Sequence, residues 1–215
     1  FAAPAVTPVA TPTYPTKSVG QIAGATLLTG DIIADMTLAA GTLYKINGLV
    51  KVKNGAVLTV EPGTVIFGTV GEDFLVVTTG SQIIADSTEA LPIVFTSETA
   101  LLDPTAADVG QWGGVTVLGL APTNHDAPFY EVDETNADFA FGGTNATDNS
   151  GSLTNVHILN SGVTMSTDQE VNGLSLAGVG SGTTVNNIYV GNSSDDGIEI
   201  WGGTDRKSTR LNSSH

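Results

Sequence analysis

The chain reads as an all-β protein, a right-handed parallel β-helix, and two repeats with the absence of any long helical stripe predict it. Asn172-Gly173-Leu174-Ser175-Leu176-Ala177-Gly178 returns 24 residues later as Asp196-Gly197-Ile198-Glu199-Ile200-Trp201-Gly202. Interleaved with it, residues 153–160 return 32 residues on as 185–192. Short alternating β segments broken by Gly, Asn and Ser at such a period are one supersecondary unit stacked on its neighbours. Apolar residues at 3.6-residue spacing are confined to a single turn near Ala100 to Asp108. A sandwich or barrel would need more paired Asn-Gly hairpin turns, and repeats with the same internal order imply strands stacked in one direction. Roughly seven coils of about 22 to 25 residues are expected, a rod of about 30 to 35 Å.

Residues 1–20 carry Pro4, Pro8, Pro12 and Pro15 among Ala, Thr and Val. Proline fixes φ and withholds a donor, so an extended linker is expected there. The β-helix is expected over 21–204. Strands are predicted at Ile32 and Ile33, 42–46, 49–52, 57–60, 65–67, 74–77, 82–85 and 93–96, separated by turn residues such as Asn54-Gly55 and Glu61-Pro62-Gly63. Another coil starts at Gln111-Trp112-Gly113-Gly114. Residues 120–152 then form an acidic excursion rich in Asn, Gly and Thr, expected to decorate one face. The stretch from Asp205 to His215 resembles a translated sequencing adapter. It is expected to be an artefactual tail on a metagenomic fragment cut at Thr204, and a start at Phe1 fits a removed leader or a frame entered midway.

The 215 residues are 40% apolar with a mean hydropathy of +0.16, the balance of a folded domain. Cysteine is absent, which excludes disulfides, thiolate metal sites and cysteine nucleophiles. Seven Lys and Arg face 22 Asp and Glu, a formal charge of −15. Before the tail the cations are Lys17, Lys45, Lys51 and Lys53, and residues 54–204 hold neither Lys nor Arg. Phosphate backbones and anionic lipid surfaces are bound through such cations, so nucleic acid is not an expected partner. No apolar run reaches the length of a membrane span, and no direct membrane insertion is expected. An acidic surface of this kind suits a saline or calcium-containing exterior.

Carboxylates cluster at Glu72 and Asp73, at Asp133, Glu134 and Asp138, and at Asp195 and Asp196. Calcium takes six to eight oxygen ligands, and loops dense in Asp, Asn and Gly supply them, so Asp133, Glu134, Asp138, Asp195 and Asp196 are candidate calcium ligands. The alternative is a solvated acidic surface, and no run matches an EF-hand or the nonapeptide calcium repeat. His125 and His157 are too few for a metal site. His157 takes the repeat position of Tyr189, which puts it on the outer face of a coil. Trp112 and Trp201 adjoin Gly-Gly corners, where packing against the next coil competes with a sugar-stacking role. Asn155, Asn160, Asn187 and Asn192 read as turn or ladder asparagines.

Residues 30–68, with Leu58-Thr59-Val60 and Pro62-Gly63-Thr64-Val65-Ile66, resemble the opening of bacterial secreted or lipid-anchored right-handed β-helix proteins. So do Pro92 to Ser97, Gly110 to Gly114 and Asp195 to Thr204. That resemblance implies an extracellular or cell-surface location and carries over no catalytic residues. Asp195 and Asp196 are similar to the paired aspartates of β-helical polygalacturonases, inverting enzymes with carboxyls on adjacent coils. Where that family has Asn-Thr-Asp one coil upstream, this chain has Val171-Asn172-Gly173. A pectate-lyase chemistry lacks its basic residue between 54 and 204. The expected function is a non-enzymatic extracellular surface or adhesive module binding cations and a glycan or surface protein. A fragment of a polysaccharide-degrading enzyme and a stalk without ligand are the alternatives.

Overall fold

The computed structural model describes residues 14, 16–124, 129–166, 169–204 and 211–214. In chain order its elements are α1 (Val19–Ala23), β1 (Thr26–Ile32), β2 (Met36–Leu38), β3 (Leu43–Val52), β4 (Val57–Val60), β5 (Val65–Gly68), β6 (Phe74–Val77), β7 (Gln82–Asp86) and β8 (Ile93–Ser97). Then come α2 (Glu98–Leu102), β9 (Gly114–Leu118), a 3-10 turn (Ala137–Phe139), β10 (Gly151–Leu159), β11 (Val163–Ser166), β12 (Gln169–Val171), β13 (Leu174–Ala177), β14 (Thr184–Gly191), β15 (Ile198–Trp201) and β16 (Leu211–Ser214).

The strands stack in parallel into three ladders. Ladder I runs through the start of β1 and β3, then β5, β8, the ends of β10 and β14, and β16. Ladder II runs through the ends of β1 and β3, then β6, β9, β13 and β15. Ladder III holds β2, β4, β7 and the starts of β10 and β14. The two sequence repeats are adjacent rungs: Leu174 pairs with Ile198, and Val156 with Ile188. The parallel β-helix expected from the repeats is the observed fold.

In-register stacking turns alternation into a core. Tyr44, Ile66, Phe95, Ile158 and Val190 form one inward file, all buried. Val50, Leu75, Val115 and Leu174 form another, ending at half-buried Ile198. Each such side chain contributes about 1.5–3 kcal/mol of apolar burial. The corners need left-handed backbone, and short polar side chains tolerate it. Asn155 and Asn187 both have φ of 52°, and Asn187 Nδ2 donates to Asn155 Oδ1 on the rung below at 2.5 Å. Asn160 and Asn192, at 57° and 55°, turn the next corner. All four are the turn and ladder asparagines expected.

Four details differ from the sequence reading. The helical turn occupies 98–102, earlier than expected, because Ser97 accepts from the Ala100 amide and starts it there. Strands β11 and β12 pair antiparallel, a pairing that had no sequence signal. The first strand begins at Thr26, well before Ile32. The end of the expected linker is docked: Ser18 and Gln21 form a capping box for α1, and the Lys17 amide donates to Leu101 O. Most of the linker, with residues 205–210 and 215 of the expected tail, lies outside the described residues.

Candidate functional site

A β-helix offers three outer faces for binding, and the chain covers two of them itself. On ladder II the outward file is Asp31, Lys51, Val76, Thr116, Ser175 and Glu199 in register. Described residues of the excursion, from Tyr130 to Phe141, lie over it as a roof. Tyr130, Phe139 and Phe141 are buried against Phe74, Val76, Leu118 and Ala177, with Trp201 half-buried at the edge. Burying three rings gains more than leaving a polar loop in solvent, and this decides the loop's direction. Tyr130 OH meets Ser175 Oγ at 2.8 Å. Burial, reinforced by the charges of Glu131 and Glu199 and partly offset by hydrogen bonding, pushes the Tyr130 phenol up to about 12, so it remains neutral.

The roof is fastened by charge. Asp138 accepts from Lys51 Nζ at 2.5 Å and from Lys53 Nζ at 2.7 Å, and Asp31 adds contacts at 3.3 and 3.5 Å. Hydrogen bonds from Lys51 and then Lys53 hold the Asp138 carboxyl below its ordinary range, and Asp138 in turn raises Lys51.

Ladder I is covered by the two short helices. Ile22 of α1 and Leu101 of α2 pack on Phe67, with Leu43 and Val65 around them. Tyr14 closes the next part: its hydroxyl lies 2.5 Å from His157 Nδ1, and His157 contacts the Tyr189 ring edge-on at 5.5 Å between centroids. His157 is therefore on the outer face, in register with Tyr189 as its repeat position predicted. Burial lowers its pKa.

Ladder III is the open face. Thr37, Thr59, Ile84, Ser152 and Thr184 form its central outward file, each exposed or half-exposed. Beside it run Asp86, Thr154 and Asn186. Ser152 Oγ donates to Asp86 Oδ2 at 2.7 Å, which fixes that hydroxyl on the surface. Nothing in a single strand singled this file out. Its signal was the outward positions of 57–60, 82–86, 151–154 and 184–186 taken together.

The candidate calcium ligands are not brought together. Asp133 accepts from the Thr135 amide and hydroxyl, which lower its pKa; Glu134 is exposed; Asp138 is held by the two lysines. Asp195 and Asp196 lie at a corner of the last coil, four rungs from Lys51, or about 19 Å. The coil below that corner presents Asn172 and Gly173, and Asn172 Nδ2 donates to Glu199 at 2.6 Å. Asp73 is buried and accepts from the Gly48 and Thr69 amides at 2.6 and 2.7 Å, a structural use of its charge. Among the described residues, no three carboxylate or imidazole groups converge as a metal site. Trp112 is fully buried, stacked on Phe95, with Nε1 donating to Leu159 O at 2.8 Å. It packs a corner.

Among the described residues, no helix is long and apolar enough to cross a membrane. Neither a curated protein nor a solved structure matches the chain. A family model described as a pectate-lyase like beta helix domain matches residues 30–211. Three parallel ladders, asparagine corners and a match over most of the sequence lead to one assignment: the chain belongs to the pectate-lyase-like β-helix family.

Proposed function

We propose that this domain is a non-enzymatic extracellular surface module that adheres through the open face of ladder III. One observation carries the reading: the roof of Tyr130, Phe139 and Phe141 occupies the outer face of ladder II, and the helices occupy ladder I. A polymer chain laid on this β-helix meets exposed side chains on ladder III. The hydrolase alternative would need carboxylates on adjacent coils, and opposite Asp195 and Asp196 stand Asn172 and Gly173. An extracellular setting agrees with the acidic composition and with the family's fold type. In this reading cation binding is confined to the corner of Asp195 and Asp196. A melting temperature unchanged between calcium and chelator removes that part.

The test is adhesion of the full chain to an immobilised cell-wall polysaccharide fraction. Thr59→Arg with Ser152→Arg should abolish retention while the melting temperature stays near that of the parent. Retention unaffected by that pair would refute the face assignment. Release of reducing ends that disappears in Asp195→Asn would replace the adhesive reading by the enzymatic one.

A further inference from the structure

Resting on that adhesive reading, we infer that the ligand of the ladder III face is a neutral, extended polysaccharide lying along the helix axis across Thr37, Thr59, Ile84, Ser152 and Thr184. The file repeats one outward position about every 4.8 Å over roughly 19 Å, with hydroxyls at Thr37 and Thr59 on one side of Ile84 and at Ser152 and Thr184 on the other. A long polymer with a short repeat can use all of them at once; a small ligand can use two. Four of the five side chains carry a hydroxyl, the complement of a sugar hydroxyl: those of Thr37, Thr59 and Thr184 can donate and accept, while that of Ser152, donating to Asp86, is left to accept. The fifth, Ile84, sits mid-file and half-exposed, an apolar patch suited to the C–H face of a pyranose ring.

Charge complementarity selects among polymers. Asp86 flanks the file as a carboxylate, and the sequence from 54 to 204 contains no Lys or Arg to answer an anionic chain. Lys51 and Lys53 point their charge to Asp31 and Asp138 on the other side of the coil. A uronate or sulfated polymer would meet repulsion along the file, whereas an uncharged one would not. Each hydroxyl pair contributes little on its own, so binding depends on the number of rungs engaged.

The experiment is affinity electrophoresis of the full chain through gels containing soluble mixed-linkage β-glucan, polygalacturonate or no polymer. Retardation is expected with the neutral glucan and not with polygalacturonate. Ile84→Arg and Thr184→Arg, each interrupting the file at a different rung, should weaken retardation about tenfold, while Glu134→Gln on the roof should leave it unchanged. Retardation by polygalacturonate that both file variants reduce would overturn the neutral class and leave the adhesive face standing. Absence of glucan retardation, or retardation insensitive to both file variants, would overturn the proposal. Loss of adhesion to every fraction in the preceding test is separate and would defeat the adhesive reading itself.

Discussion

Lys51 Nζ lies 2.5 Å from the carboxylate of Asp138, a residue 87 positions further along the chain, and this contact pins the roof to ladder II. Lys53 shares the same carboxylate, so one acidic side chain answers two cations. Asp138→Asn should cost about 1 kcal/mol, since the groups are only partly buried. For a chain of this size that is roughly 2–4 °C in melting temperature. The sign with pH follows from the depressed carboxyl: its contribution is complete above the ordinary aspartate pKa and is lost as pH falls through the folded value. Acid titration of the variant, followed by tryptophan fluorescence, should lack that component.

The Tyr14 and His157 contact gives a second pH dependence in a different window. Burial lowers the His157 pKa, so the unfolded chain takes up a proton first as pH falls below 6.5. Stability should therefore decline from that point toward the lowered folded value. Urea midpoints at pH 7 and pH 5 should differ in the parent and differ less in His157→Phe. Identical differences in the two proteins would show that His157 is not the group responsible.

The corner asparagines should separate backbone strain from hydrogen bonding. Asn187→Gly keeps the left-handed backbone accessible and loses the bond to Asn155, about 1 kcal/mol. Asn187→Ala loses the bond and adds a left-handed penalty of roughly 1–2 kcal/mol. Chemical denaturation should rank parent, glycine and alanine in that order.

Under the roof, Tyr130→Phe removes the partner of the buried Ser175 hydroxyl and should cost about 1–3 kcal/mol. In the parent, ultraviolet titration should find one tyrosine that ionises only near pH 12.

Those contacts mark the limit of what the sequence alone discloses. The ladders were legible because stacking is periodic: Leu174 and Ile198, or His157 and Tyr189, occupy equivalent places in repeats that become neighbouring rungs. The roof was not, because Tyr130 and Phe139 are set by the surface they cover, Phe74 and Val76 on a strand more than fifty residues away, and no local period reports that. A signal existed: Phe129, Tyr130, Phe139 and Phe141 crowd into an acidic segment of a chain that is 6% aromatic. The same reasoning explains the candidate calcium ligands. Asp138 counts as one more acid in a cluster until Lys51 and Lys53, far upstream, are found beside it. The outward file of ladder III is split over strands from β2 to β14 and exists only once the register is known.

The claim that one outer face is open while another is sealed can be measured directly because the chain has no cysteine of its own. Thr184→Cys on ladder III and Ser175→Cys beneath the roof each supply a single thiol, exposed at one position and buried at the other. Labelling of the folded protein with a maleimide should be immediate for Thr184→Cys and slowed to the rate of roof opening for Ser175→Cys. Equal, rapid labelling at both positions would contradict the account.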